Sequence, residues 1–416
     1  MRRIVTKMGS DRQPRIADLS SPAARAALDE WARGPHFRSG RLGLAEFLRK
    51  RFDPPLARAL AEQFELRQLA GPKFAFPERM LLHRKGLEQA TRLEVARWRA
   101  RRVKDFAPKS PIIDATCGLG ADSLALIEAG LTVLCLEADE ETSRFAAHNL
   151  LEVGGRNCVV LGSAQAAPVR GEYWLIDPDR RDEGPRSHQP ERWSPPLSVA
   201  LGIARGARGA CIKLAPGFDG KQLTSEALGP GAWLATWVSA GGELRECCLW
   251  GGEWATHAAA GEREVVSLAA DAARRAPATL RAVPETVEAL DPAEAAQIRY
   301  LAEPDPALIR SGLLGNVARI VGARPLAAQI AYLGAQEPIE HPLLRAWPVR
   351  DSCALDPKRV RRMLAEHDVG TIEVRKRGHP DAAEVLAKRL AGPGKQHGML
   401  AIARLARGHQ AYLLGR

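Results

Sequence analysis

One short segment, Asp114-Ala-Thr-Cys-Gly118-Leu-Gly120-Ala-Asp122, constrains the fold of this chain most strongly. It joins an apolar run that ends at Asp114 to a helical pattern that begins at Asp122. Gly118 and Gly120 let the backbone turn tightly and approach a ligand closely, which a Cβ would prevent. A helix that begins after such a turn offers unpaired N–H groups. The segment therefore predicts a ligand-binding turn between a buried strand and a helix.

Short apolar runs of the same kind recur through the middle of the chain and alternate with helical patterns. The runs cover 111–114, 130–136, 158–161, 173–176 and 209–214, and the helical patterns between them include 122–129, 140–151 and 197–207. Short buried strands that alternate with helices are typical of a parallel, doubly wound sheet. We therefore predict a Rossmann-like α/β fold, in which ligands bind at the carboxyl edge of the strands.

The segments on either side of this predicted sheet have a different composition. Apolar residues at helical spacing precede it, and an Ala-, Arg- and Pro-rich stretch separates it from a last part in which helical and strand patterns mix. We predict an irregular lead-in over 1–40, a helical N-terminal domain over 41–105, the α/β domain over 106–270, a linker over 271–290 and a small α+β domain over 291–416. A helix is expected from Asp291 into Tyr300.

The formal net charge of +11 over 416 residues is distributed unevenly. Residues 41–104 carry 16 Lys and Arg against 7 Asp and Glu, and residues 351–416 carry 13 against 7. A polyanion such as nucleic acid is one explanation, because phosphate contacts come from Lys and Arg. Solvated helix faces explain the same charges equally well.

Membrane and metal partners are not expected. No stretch approaches the ~18 consecutive apolar residues of a membrane span, and the segment 1–10 lacks the apolar region of a secretory signal, so we expect a cytoplasmic protein. The 7 cysteines form no CxxC pair, and the 10 histidines show no zinc-ligand spacing.

The acids around the glycine turn distinguish two cofactors. Glu137 ends the second apolar run, 19 residues after Gly118, where an acid can accept both hydroxyls of a ribose. A nicotinamide dinucleotide prefers a third glycine and places its pyrophosphate on the helix N-terminus, but Ser123 takes that position. The negative charge of Asp114 repels pyrophosphate and suits the ammonium of S-adenosylmethionine. The two carboxylates favour S-adenosylmethionine, while a nicotinamide cofactor and a turn without a ligand stay open.

A second group of polar residues follows the fourth apolar run. Asp177 and Pro178 come at the same predicted sheet edge as the glycine turn, and an Asp there can orient or deprotonate an attacking group. Arg180 and Arg181 are candidates for holding a substrate phosphate or neutralising Asp177. Lys213, which lies near the end of the fifth run, is a further substrate-binding candidate. Taken alone, the segment would more readily be a capped loop with a surface ion pair, but its position favours a functional site.

These residues, in this order and at these spacings, resemble motifs of class I S-adenosylmethionine-dependent methyltransferases. More closely, residues 40–416 resemble a bacterial group of such enzymes with a C-terminal THUMP-like domain. Supporting segments are 86–91, 94–97, 213–217, 237–239 and 301–306. The resemblance implies S-adenosyl-L-methionine as cofactor. It also implies an RNA partner, tRNA or rRNA, because THUMP domains elsewhere bind RNA.

The resemblance also implies roles for individual residues. Cofactor-binding residues would be Thr91, Asp114, Cys117, Gly118, Gly120, Asp122, Glu137, Ser163 and Ala164. Ser163 stands where such enzymes often have an Asp near the adenine, and the N–H of Ala164 would substitute for it. The segment around Thr91 also resembles the part of trimethylguanosine synthases that helps enclose the cofactor.

Asp177 and Pro178 would form the catalytic loop. Amino-methylating relatives commonly continue this loop with a second proline and an aromatic residue, whereas this chain continues with Asp179 and Arg180. The missing aromatic speaks against methylation of an exocyclic amine. Two other functions stay open: an RNA-associated protein that binds the cofactor without turnover, and a methyltransferase of a protein or small molecule. Cys117 as a nucleophile is less expected than Cys117 as a small packing residue.

Overall fold

The computed structural model describes residues 14–34, 40–154, 158–166, 169–179, 189–218, 220–269 and 275–415. These residues divide into two compact units. Unit 1 consists of the described residues up to Lys213 together with Gly251–Trp254. Unit 2 consists of Leu214–Trp250 and the described residues from Ala255 onward. No helix within the described ranges combines the length and the apolar character that a membrane crossing requires.

Unit 1 begins with a group of helices that pack around a shared apolar cluster. They are α1 (Ile16–Leu19), α2 (Pro22–Arg33), α3 (Gly40–Arg49), α4 (Pro54–Ala70), α5 (Arg84–Gln89) and α6 (Leu93–Asp105). Ser21 caps α2 by accepting a hydrogen bond from the N–H of Ala24. Leu28 and Trp31 of α2 are buried in the same cluster as Leu60 of α4. The described part of 1–40 therefore includes packed helices, and the expected irregular lead-in is wrong there. The reason is that α2 is capped at its start and packs its apolar face against the helices that follow.

Parallel strands follow these helices and alternate with further helices. The strands are β1 (Ile112–Asp114), β2 (Val133–Glu137), β3 (Cys158–Leu161), β4 (Tyr173–Ile176) and β5 (Gly209–Leu214), and the helices are α7 (Ala121–Glu128), α8 (Glu140–Glu152) and α9 (Leu197–Gly206). Neighbouring strands pair in parallel in the order β3-β2-β1-β4-β5. This confirms the doubly wound α/β fold. The chain order reverses between β1 and β4, so the carboxyl ends of these two strands flank the crevice in which such sheets bind ligands.

Unit 2 contains strands in the order β7-β6-β8-β9. They are β6 (Trp233–Ala240), β7 (Glu243–Gly252), β8 (Arg263–Leu268) and β9 (Ala278–Ala282), with the short helix α10 (Ser225–Leu228) before them. β9 lies in the segment 271–290 that was expected to be a linker, and it pairs antiparallel with β8. Arg281 of β9 also donates hydrogen bonds to Glu262 and to the carbonyl of His257, each at 2.8 Å. Strand pairing of this kind depends on a distant segment and leaves little trace in local composition.

A second sheet occupies the rest of unit 2, in the order β11-β12-β10-β13-β16-β15-β14. Its strands are β10 (Tyr300–Pro304), β11 (Arg324–Ala327), β12 (Ile330–Ala335), β13 (Leu344–Ala354), β14 (Val369–Arg377), β15 (Gln396–Arg404) and β16 (His409–Leu414). Its helices are α11 (Pro292–Ala296), α12 (Pro306–Ser311), α13 (Leu314–Ile320), α14 (Pro357–Glu366) and α15 (Ala383–Leu390). The mixture of sheet and helices agrees with the α+β pattern.

A helix was expected from Asp291 into Tyr300, and the C-terminal end of that prediction is wrong. Helix α11 ends at Ala296, and Tyr300 begins strand β10. Leu301 in this strand is fully buried and pairs with both β12 and β13. Pairing on both sides therefore overrides the local helical pattern.

Candidate active site

The glycine turn connects β1 to α7, where the sequence predicts it. Gly118 and Gly120 have φ angles of 53° and 91°, in the left-handed region that favours glycine. A Cβ added at Gly118 would meet no atom within 4 Å, whereas one at Gly120 would lie 2.7 Å from Cδ1 of Leu150. Gly118 therefore faces open space at the carboxyl edge of the sheet, and Gly120 permits close packing of α7 against α8.

Asp114 lies at the end of β1 and is only 2% exposed. Ser123 Oγ donates a hydrogen bond of 2.5 Å to its Oδ2, and the N–H of Thr116 approaches Oδ1 at 3.4 Å. Burial raises the pKa of Asp114 to about 7, although the hydrogen bond from Ser123 opposes this. Ser123, which takes the place of a third glycine, therefore serves as a hydrogen-bond partner of the buried acid.

Glu137 ends β2 beside the turn, and main-chain groups hold its carboxylate. The N–H of Gly118 donates to Oε2 and the N–H of Asp139 donates to Oε1, each at 2.9 Å. Burial raises the pKa of Glu137, while the N–H groups of Asp139, Gly118 and Ala138 act in the opposite direction. A carboxylate has about four acceptor sites, so this one retains capacity for a hydroxyl group. Its fixed position beside open space fits the ribose of a nucleoside.

The segment after β3 runs next to Glu137. The N–H of Gly162 donates to the carbonyl of Glu137 at 2.9 Å, and Ser163 and Ala164 follow directly. Ala164 is buried, and Ser163 Oγ accepts a hydrogen bond from the N–H of Gln165 at 3.2 Å. The structure therefore brings both predicted adenine-side residues to the edge of the sheet that Glu137 occupies.

Cys117 lies inside the turn and is buried. A hydrogen bond with Cys135 and burial both raise the pKa of the Cys117 thiol well above its usual range. Because the thiolate is the nucleophilic form, this residue suits packing in the turn rather than covalent chemistry.

The loop after β4 carries Asp177, whose side chain is 40% exposed. Its N–H donates to Thr116 Oγ1 at 2.7 Å, which connects the loop to the glycine turn. Pro178 is buried. Asp179 exchanges two main-chain hydrogen bonds with Ser194, of 2.8 and 2.9 Å. Arg180 and Arg181 lie outside the described residues.

Helix α5 also contacts this loop. Gln89 Nε2 donates to Asp179 Oδ1 at 2.9 Å, and Lys85 Nζ lies 3.8 Å from Asp179 Oδ2. Asp179 occupies the place where amino-methylating enzymes have a second proline, and here it contacts the N-terminal helices. At this position the chain therefore has a hydrogen-bond acceptor for α5.

Lys213 contacts residues of the protein on several sides. Its Nζ donates to Thr91 Oγ1 at 2.6 Å, to Asp122 Oδ2 at 3.1 Å and to Asp177 Oδ2. Thr91 Oγ1 in turn donates to Asp122 Oδ2 at 2.7 Å. Thr91 and Asp122, both expected near the cofactor, are thus hydrogen-bonded to each other. Lys213, expected to contact substrate, has its side chain 7% exposed and lies against these groups.

Arg99 of α6 is the residue that sequence reasoning missed. It is 1% exposed, and its guanidinium forms an ion pair with Asp122. Burial raises the pKa of Asp122, but Arg99 and Lys213 outweigh it and hold that pKa at about 2. The signal available in the sequence is its place on the buried face of the helix, four residues from both Val95 and Val103. A basic residue at such a position requires a buried acid.

Comparison with known proteins identifies the family. Residues 344–416 match the THUMP domain-like family. Proteins from two strains of Mycobacterium tuberculosis, each described as an uncharacterized S-adenosylmethionine-dependent methyltransferase, are 30% identical over 332 residues, which cover 79% of this chain and 85% of theirs. This chain belongs to the S-adenosylmethionine-dependent methyltransferases. The prediction of that cofactor and of a C-terminal THUMP-like domain is confirmed.

Other relatives of this methyltransferase share parts of the chain or the fold alone. A candidate methyltransferase from Porphyromonas gingivalis W83 has the same fold, with a TM-score of 0.74 at 17% identity over 97% of this chain and 99% of that one. A 23S rRNA (uracil(1939)-C(5))-methyltransferase of Cupriavidus pinatubonensis is 32% identical over 98 residues, which is 20% of each chain. Across the described part of the methyltransferase, no group of three or more His, Cys, Asp or Glu side chains is placed to hold a metal ion.

Proposed function

We propose that this methyltransferase acts on RNA, either tRNA or rRNA, with Asp177 at the reacting atom. The observation that carries the choice of RNA is helix α14 in the THUMP-like region. Val360, Met363 and Leu364 are buried, and the basic residues of the helix are exposed: Lys358, Arg359, Arg361 and Arg362. Basic side chains concentrated on one short helix suit phosphate groups. The partial similarity to a 23S rRNA methyltransferase supports the same choice.

The glycine turn and its acids fit the cofactor. S-adenosyl-L-methionine supplies a methyl group activated by a positively charged sulfur. Glu137, held by two main-chain N–H groups, would accept the ribose hydroxyls. Asp114, in its ionised form, would pair with the ammonium of the methionine part, and Gly118 leaves the space for the cofactor to approach. Ser163 and Ala164, beside Glu137, would lie at the adenine.

The loop after β4 would meet the methyl acceptor. Asp177 is exposed enough for a substrate to reach it and is tethered to the glycine turn through Thr116. It would orient the accepting atom and receive the proton that this atom loses when it bonds to the methyl carbon. We propose that Arg180 and Arg181, next along the chain, contact the phosphates of the same substrate.

Transfer of labelled methyl groups tests this proposal. Purified protein is incubated with tritiated S-adenosylmethionine and RNA from a strain that lacks the gene, separated into tRNA and rRNA. We expect label in one fraction and none in the same fraction from wild-type cells, where the position is already methylated. Cofactor binding without label in either fraction would favour a protein without turnover. In a parallel incubation with the protein and small-molecule fractions of the same strain, label there and in neither RNA fraction would overturn the choice of RNA.

Two variants separate the proposed roles. Asp177→Ala is expected to abolish transfer and preserve the affinity for S-adenosylhomocysteine measured by calorimetry. Glu137→Ala is expected to weaken that affinity by about 10- to 100-fold, as loss of a hydrogen-bonded charged group does. Full turnover by Asp177→Ala would refute the catalytic assignment.

A further inference from the structure

Within unit 1, four side chains of alternating charge form a row that ends at the proposed catalytic loop after β4. Arg99 pairs with Asp122, Asp122 with Lys213, and Lys213 with Asp177. The side chains come from α6, α7, the end of β5 and the loop after β4. Only Asp177 is substantially exposed. The row therefore connects the N-terminal helices to Asp177, which is the member of the row that a substrate can reach.

The ammonium of Lys213 has three N–H bonds, and three side chains accept from it. Thr91, Asp122 and Asp177 are all within hydrogen-bond distance of Nζ. A lysine that binds RNA phosphate needs an N–H directed to solvent, and this one is buried and already hydrogen-bonded to the protein. Its effect on the reaction must therefore pass through the groups it contacts.

Burial of this ammonium is favourable only while its acids stay charged. Arg99 contributes to that condition, because Arg99 and Lys213 together outweigh burial, hold the pKa of Asp122 at about 2 and keep the carboxylate ionised at neutral pH. Thr91 adds a neutral acceptor for Lys213 and a donor for Asp122. Lys213 is thus fixed on two sides, and its third N–H defines where Oδ2 of Asp177 lies.

We propose that Lys213 is a positioning residue that fixes the carboxylate of Asp177 and does not contact the substrate. The proposal rests on the catalytic role proposed for Asp177. Its consequence is that Thr91 and Arg99, from the N-terminal helical region, belong to the machinery of the active site. A misplacement of about 1 Å in a reacting group can cost about 100-fold in rate.

The first test compares kinetics of three variants with wild type. With tritiated S-adenosylmethionine and RNA from the deletion strain, Lys213→Met is expected to lower kcat by about 100-fold and to leave KM for RNA within about threefold. Thr91→Val, which removes the hydroxyl that accepts from Lys213 and donates to Asp122 without changing charge, is expected to lower kcat by about 3- to 10-fold. Arg67→Met removes a half-buried cation of the same unit that donates to the carbonyl of Met80, and we expect its kcat to equal that of wild type.

Two results of these kinetics would overturn the proposal. A raised KM for RNA with an unchanged kcat would mean that Lys213 binds substrate. An equal loss of kcat in Lys213→Met and Arg67→Met, together with weaker S-adenosylhomocysteine binding in both, would mean that a buried cation only supports the fold.

The second test needs no methyl acceptor and is independent of the proposed function. Crystal structures of wild type and of Lys213→Met compare the position of the Asp177 carboxylate directly. We expect Asp177 to adopt a different rotamer, or several, in the variant. An unchanged carboxylate in the variant would refute positioning by Lys213, whether or not RNA is the substrate.

Discussion

Two arginines of α6 form ion pairs with α7, and their different burial predicts different losses of stability. Arg97 contacts Glu128 through two hydrogen bonds, of 2.7 and 2.9 Å, and these side chains are 37% and 48% exposed. Arg99 contacts Asp122, and these side chains are 1% and 12% exposed. The two pairs join the same two helices, so each arginine is a matched control for the other.

The expected magnitudes follow from solvation. An exposed ion pair contributes about 0–1 kcal/mol, because water screens it. Removal of one partner of a buried pair costs about 3–5 kcal/mol, because the other charge stays buried without compensation. We expect Arg97→Met to lower the free energy of unfolding by less than about 1 kcal/mol. Arg99→Met should lower it by about 3 kcal/mol, since Lys213 still partly compensates Asp122.

Hydrogen exchange measured by mass spectrometry in increasing urea reports these losses locally, on peptides from α6 and α7. The double variant Arg99→Met with Asp122→Asn should recover part of the loss, because no uncompensated carboxylate remains and Lys213 keeps its ion pair with Asp177. Equal losses for Arg97→Met and Arg99→Met would contradict the account of a buried charge row. A double variant Arg99→Met with Asp122→Asn that is less stable than Arg99→Met alone would also contradict this account.

Three further predictions concern pH, RNA and the catalytic loop. The pKa of Asp114 is about 7 in the folded protein against an ordinary value of 3.8, so between these values the native state holds a proton that the unfolded chain releases, and stability is lost as pH rises from about 4 to about 7. In urea unfolding, the free energy of unfolding of wild type relative to Asp114→Asn should fall by up to about 4 kcal/mol over that range, and a difference independent of pH would refute the buried acid. Charge reversal on α14, at Lys358, Arg359, Arg361 and Arg362, should weaken RNA binding and make the slope of log affinity against log salt concentration shallower by about 0.7 for each phosphate no longer neutralised, while Arg319→Glu on α13 should change neither. Equal slopes for both variants would exclude α14 as an RNA-binding element. Gln89→Leu should lower kcat without changing S-adenosylhomocysteine affinity, because Gln89 contacts the proposed catalytic loop through Asp179; an unchanged kcat would mean that this hydrogen bond is incidental.

The features that the sequence predicts well are those set by local pattern. Gly118 and Gly120 need positive φ angles, and the apolar runs around them contain β1 and most of β2. The parallel order of strands then places Asp177 and Glu137 at one edge without any knowledge of contacts. Such inferences require only spacing and strand topology.

The features that it does not predict depend on partners far along the chain. Thr91 and Lys213 are 122 residues apart in sequence, and nothing local to either indicates their hydrogen bond. Arg99 looks like one of several arginines of α6 until Asp122 is found beside it. Tyr300 begins a strand rather than ending a helix because two other strands pair with β10. Long-range pairing and buried charge compensation therefore decide what local pattern leaves open.

Mass spectrometry of nucleosides tests the central proposal, RNA methylation, most directly. RNA from a strain that lacks the gene is incubated with the protein and with S-adenosylmethionine that carries a deuterated methyl group. We predict that one methylated nucleoside gains a deuterated methyl with wild-type protein, gains none with Asp177→Ala, and gains none when the RNA comes from wild-type cells. Absence of deuterium from every nucleoside, with transfer instead to a protein or small molecule in a parallel incubation with an extract of the same strain, would contradict an RNA substrate.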